Sequence, residues 1–212
     1  MSSESSTESG QSSGSLSTSV LQRAMVGDQE AFRKITDLFA GLVYSWCRKQ
    51  GLAEEDAKDT SQEVFKTVAT KLALFRRESP SDSFRAWIRS VTRNKIADHY
   101  RGAQTHIKAS HGQGVDISEI PDKRWNIELD DDPVRETTEL FQRAVQLIRQ
   151  EFSERDFQSF WRVAVNGMSA KDVATELGMT PNAVFIVRSR IKKRVREEFG
   201  DLIELKDTNH GR

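Results

Sequence analysis

Residues Gly167–Phe199 read GMSAKDVATELGMTPNAVFIVRSRIKKRVREEF, a short capped helix, a glycine turn and a second, strongly basic capped helix. Ser169 is a candidate N-cap, and Asp172 stands in capping-box position three residues on. Gly178 supplies the left-handed residue at which the chain reverses. Thr180 followed by Pro181 starts the second helix, because a proline at the first helical position loses no hydrogen bond. Ala174 is small where two helices would cross, and Val173, Leu177, Val184, Val187 and Ile191 form the apolar set that would fix their angle. That leaves Thr180, Asn182, Phe185, Ile186, Arg188, Ser189 and Arg190 for a groove, a helix-turn-helix arrangement that points to DNA.

Working outward, charge and composition narrow the class. The chain has 212 residues, four prolines and no strand pattern of any length, which predicts an all-α protein. Its formal net charge is zero, so the argument for nucleic acid rests on where charges lie. From Arg188 to Arg196 there are six basic residues and no acid, whereas Glu119 to Asp132 is dominated by acids. The single cysteine, Cys47, excludes an internal disulfide and a multi-cysteine zinc site and suits a reducing cytoplasm. No apolar run approaches the roughly 20 residues that span a bilayer, and the N-terminus lacks the marks of a signal peptide, so no membrane insertion is expected.

The pattern divides the chain into two small helical domains joined by a flexible acidic linker. Residues 1–19 are serine-rich with little to bury and read as a disordered tail. In the first domain, residues 20–103, Asp28 opens a helix carrying Phe32, Ile35, Leu38, Phe39, Leu42, Val43 and Trp46, stopped at Gly51. A second helix shares Ala57, Ser61, Val64, Phe65, Val68 and Leu72 on one face. Asp82 or Ser83 caps a third, in which Phe84, Trp87, Ile88 and Val91 turn inward while Arg85, Arg89 and Arg93 line another face. Periodicity fails over residues 104–134, the linker, whose fully extended reach is at most about 100 Å. The second domain, residues 135–200, holds a helix on Leu140, Phe141, Ala144, Val145 and Ile148, another capped at Ser153, and the helix-turn-helix; 201–212 read as a tail.

The segment Asp56 to Phe65, DAKDTSQEVF, followed by Phe84 to Arg101, FRAWIRSVTRNKIADHYR, resembles two segments in the first domain of bacterial sigma factors. The resemblance is closest to the extracytoplasmic-function (ECF) group of the sigma-70 family and covers roughly residues 20–200. It implies a non-catalytic subunit that joins the RNA polymerase core, reads two promoter elements and stabilises the melted strand, without a cofactor. The implied partners are the largest-subunit clamp and flap regions of the core, promoter DNA and, as in many family members, an anti-sigma protein.

Carried over by position, the resemblance puts Asp56, Asp59, Gln62 and Glu63 on the clamp-binding surface; Val64 and Phe65 fit domain core better. It puts Arg85, Arg89, Arg93, Asn94, Lys95 and Arg101 on the start-proximal element, where cations follow phosphates and an amide can bond an unstacked base edge. Family members capture a flipped base in the preceding loop, about Arg76 to Ser83, while Trp87 reads as a core residue beside Phe84 and Ile88. In the recognition helix, Phe185 and Ile186 depart from the family's polar or basic pattern: they could touch thymine methyl groups or pack on another protein. Lys192, Lys193, Arg194 and Arg196 are assigned to phosphates. Asp130, Asp131 and Asp132 lack the spacing of a calcium loop, so no metal is expected. The alternative is a freestanding helix-turn-helix regulator with a sensing or dimerising domain. A nucleic-acid enzyme is weaker still, since no cysteine-histidine cluster, spaced carboxylate set or phosphate loop is present in the sequence.

Overall fold

The structure is a computed structural model that describes residues 19–78, 82–111 and 132–203, with 103–111 described as backbone only. The serine run up to residue 18, linker acids Asp130 and Asp131, the middle of the loop at 79–81 and the stretch 204–212 lie outside the described residues. Among the described residues every regular element is helical: α1 Val20–Met25, α2 Gln29–Lys49, α3 Glu54–Lys71, α4 Phe84–His111, α5 Pro133–Leu147, α6 Glu154–Ala164, α7 Ala170–Glu176 and α8 Pro181–Ile203.

The helix starts follow side-chain chemistry. Asp28 accepts from the Ala31 amide at 3.1 Å, Ser83 from Ala86 at 2.9 Å, Ser153 from Asp156 at 3.2 Å, Ser169 from Asp172 at 3.1 Å and Thr180 from Ala183 at 3.1 Å. Each satisfies an amide that the helix itself leaves without a partner. Between α7 and α8 the chain turns at Gly178, whose φ of 61° is reached at little steric cost by glycine. Of the two residues that could cap α4, Ser83 does so.

Three boundaries differ from the sequence reading. α1 precedes Asp28: Ser19, assigned to the tail, accepts from the Gln22 amide, and Val20, Leu21 and Ala24 are buried. Six residues are too few for helical periodicity to stand out, which is why the pattern missed it. α4 continues through His111, into the stretch read as linker from Gln104. α8 runs past residue 200 to Ile203, and Leu202 and Ile203 are fully buried, so the supposed tail begins as core.

The core has two lobes that meet. Phe39, Trp46, Val64, Phe84, Ile88 and Ile96 fill the first, and Leu140, Phe160, Val187, Ile191 and Phe199 the second, within one continuous apolar cluster. α5 packs on α2, and α8 on α1 and α4. Polar contacts reinforce this seam: the Ser19 hydroxyl donates to Asp201 at 2.7 Å, and Arg143 donates to the Asp37 carbonyl at 3.0 Å. Cys47 is buried, and desolvation pushes its thiol pKa up, so it behaves as a small apolar core residue.

Candidate functional site

α3 carries the first group of candidate residues. Its buried stripe, Ala57, Thr60, Val64 and Val68, faces the core and turns Asp59, Gln62 and Glu63 outward, with Asp56 half-buried. Phe65 packs partly buried against the core, as its apolar character requires. Lys66 donates to Glu63 at 2.6 Å, and that bond holds the Glu63 carboxyl below the ordinary range, so it stays ionised. The helix thus presents an acidic strip bounded by a cation.

α4 carries the second group, and the structure splits it. Phe84, Ile88, Val91 and Ile96 turn into the core, leaving Arg93, Asn94 and Arg101 exposed and Lys95 half-buried. Arg101 pairs with Asp98 one turn back. Arg85 and Arg89 are engaged across the seam with α5. Arg89 donates to Glu136 Oε1 at 2.6 Å and lies 5.1 Å from the centre of the Trp46 ring. Arg85 donates to the Thr137 hydroxyl at 2.9 Å and the Pro133 carbonyl at 3.1 Å. The row of three arginines read from spacing therefore has one member in solvent and two in an internal network.

Before α4 a cleft of about 430 Å³ opens between Leu74, Phe75, Arg76, Glu78, Asp82, Ser83 and Trp87. Trp87 is half-buried and has two roles: its ring packs 5.3 Å from Phe75 and 5.5 Å from Phe84, and it also lines the cleft. An aromatic wall beside an arginine suits a flat, electron-rich ligand.

The third group lies on α8. Val184, Val187, Ile191 and Val195 are buried, so Asn182, Phe185, Ile186, Ser189 and Arg190 point outward together with Thr180 at the helix start. Phe185 and Ile186 are 53% and 52% exposed, large apolar side chains that the fold leaves uncovered. Burial, and then the neighbouring charges of Arg188 and Arg196, push the Lys192 ammonium pKa down. Arg194 is different. It donates to Glu151 at 2.5 and 3.0 Å and pairs with Glu198; burial opposes its charge, but these carboxylates outweigh burial and raise its pKa.

Residues 36–106 match the family described as Sigma-70 region 2, a span that contains α3, most of α2 and α4 as far as residue 106. Over 183 residues the chain is 26% identical to the ECF RNA polymerase sigma factor SigD of Mycobacterium tuberculosis, covering 84% of this chain and 82% of SigD. The family match and these relatives support an extracytoplasmic-function sigma factor of the sigma-70 family. The ECF RNA polymerase sigma factor BldN of Streptomyces coelicolor is 24% identical over 101 residues, 48% of this chain and 38% of BldN. A solved RsbN–BldN complex aligns over 82% of this chain and 96% of the other, at 18% identity and a TM-score of 0.34.

Sequence reasoning overlooked two acids. Glu136 of α5 and Glu198 of α8 are 5% and 4% exposed. Besides Arg89, Glu136 Oε1 accepts the Trp46 indole N–H at 2.8 Å, and Glu198 pairs with Lys34 of α2. The signal was present: Glu136 heads the buried stripe Leu140 and Ala144, and Glu198 stands in register with Ile191, Val195 and Leu202. A carboxylate on an apolar stripe must find a cation or a donor elsewhere in the fold.

Proposed function

We propose that this chain is a sigma factor that joins the RNA polymerase core and directs initiation at a subset of promoters as a non-catalytic specificity subunit. The acidic strip Asp56, Asp59, Gln62 and Glu63 docks on the basic clamp of the largest subunit. Arg93, Asn94, Lys95 and Arg101, joined by Arg85 and Arg89, take the melted start-proximal strand, with cations on phosphates and the Asn94 amide on a base edge. The cleft beside Trp87 receives the flipped base. α8 enters the major groove of the upstream element, where Asn182, Ser189 and Arg190 meet base edges, Phe185 and Ile186 meet thymine methyl groups, and Lys192, Lys193 and Arg196 meet phosphates.

The observation that carries this reading is the match to Sigma-70 region 2 over residues 36–106, within which Asp59, Gln62 and Glu63 of α3 and Arg93, Asn94 and Arg101 of α4 face solvent. The names of the curated relatives, ECF RNA polymerase sigma factors, support the same partner. Purified chain mixed with core polymerase tests it by co-elution and by run-off transcription from a library of promoter fragments. Association with core and a defined subset of transcripts is expected. Duplex binding without association with core would instead identify a freestanding regulator.

A further inference from the structure

The first turn of α5 offers three oxygen acceptors to the first lobe: the Pro133 carbonyl, the Thr137 hydroxyl and the Glu136 carboxylate. All three are taken by Arg85 and Arg89, the two arginines that the proposed function gives to the melted strand. A carboxylate and a phosphate present the same feature to a guanidinium, a charged pair of oxygens matching its planar fork, so the two compete for one site. An acid is also at home in the first turn of a helix, where the dipole favours negative charge.

We propose that the first turn of α5 is a built-in competitor for promoter DNA, with Glu136 as the latch that holds the two lobes closed over Arg85 and Arg89. The proposal rests on the assignment of those arginines to the strand. In the closed chain they face Glu136; in the open chain they face phosphates, and Glu136 goes to water.

The seam has the features of a latch that can open. Glu136 Oε2 takes no hydrogen bond and faces Arg85 Nη1 at 3.9 Å, so only one of its two oxygens is well satisfied. A half-satisfied buried carboxylate holds less firmly than a fully paired one. The second acid at the seam, Glu198, pairs across it with Lys34 but also within its own lobe with Arg194. When the lobes part, Arg194 stays with Glu198, so no buried charge is orphaned there.

The test uses the full chain and a fluorescent single strand of mixed sequence at low salt, with small-angle scattering on the same samples. Glu136→Gln keeps the shape of the side chain and removes its charge. If the wild type is open about one-tenth of the time, this change tightens single-strand binding about tenfold and enlarges the radius of gyration. Adding Arg85→Gln and Arg89→Gln to that variant abolishes the gain. Trp46→Phe removes one hydrogen bond to Glu136, leaves the carboxylate charge and an aromatic ring beside Arg89 in place, and shifts both readouts in the same direction by less. It decides the matter should Glu136→Gln melt below the assay temperature. Unchanged affinity and radius in folded variants overturn the latch. Association of the wild type with core, measured in parallel, separates the two ideas: a wild type that directs transcription while latch variants behave like it leaves the function standing and removes the latch.

Discussion

Lys193 and Arg194 are adjacent cations on one helix, yet the fold assigns them opposite work, and two alanine substitutions separate them. The Lys193 side chain is 76% exposed and its ion pair with Glu197 at 3.7 Å is a solvated contact of the kind that contributes little. If it neutralises one phosphate, Lys193→Ala lowers the slope of log affinity against log salt by about 0.9. Between about 50 and 200 mM salt the wild type then loses about 3.5-fold more affinity than the variant. The Arg194 side chain is 30% exposed and joins Glu151 to Glu198. Arg194→Ala leaves Glu198 with Lys34 alone; breaking a buried charge pair costs about 3–5 kcal/mol, reduced here to about 1–3 because a partner remains and Arg194 is part-exposed. For a chain of this size that lowers Tm by about 2–12 °C. Duplex binding across a salt series by fluorescence anisotropy, together with thermal melts, reads both quantities. Arg194→Ala with an unchanged Tm and a slope lowered as much as by Lys193→Ala would refute the division.

Two further substitutions address the other surfaces. Replacing Asp59 and Glu63 by arginine abolishes co-elution with core polymerase while circular dichroism stays that of a folded chain, because both side chains face solvent on α3; assembly at wild-type levels would remove the clamp assignment. Asn182→Ala relaxes base preference at one position of the upstream element, about 1–3 kcal/mol of discrimination, as read by selecting DNA bound to the reconstituted holoenzyme; an unaltered base profile takes Asn182 out of the readout set.

What the sequence made legible was local chemistry. The caps at Asp28, Ser153, Ser169 and Thr180 and the turns at Gly51 and Gly178 depend on residues within a few positions of one another, and each appears where the pattern put it. The outward face of α8 was legible for the same reason, since its buried stripe fixes everything else by the helical period. The seam was not. Trp46 and Glu136 are 90 positions apart, and nothing near either residue announces the other. Spacing on α4 placed Arg85, Arg89 and Arg93 in one row correctly, but whether an arginine meets solvent or an acid is decided by what packs over it. Arg194 shows the same limit: its place in a basic run suggested phosphate, while its register brings it to Glu151 and Glu198.

The continuity of α8 has a consequence for the order in which DNA would be engaged. The helix is unbroken from Pro181 to Ile203, so at about 1.5 Å per residue Asn182 and Leu202 are about 30 Å apart. The end proposed for the groove is exposed, whereas Leu202 and Ile203 are buried at the other end. Closure over Arg85 and Arg89 therefore leaves Asn182, Phe185 and Ile186 uncovered. On the proposed assignments, a latched chain meets duplex DNA through α8 and withholds Arg85 and Arg89 from a single strand. Glu136→Gln should then tighten single-strand binding and leave duplex affinity at the α8 surface within about twofold, since only the first is reduced by the fraction of chains that are open. Equal tightening of both in the anisotropy assay would mean that closure hides the recognition helix as well, and the independence of the two ends of α8 would be wrong.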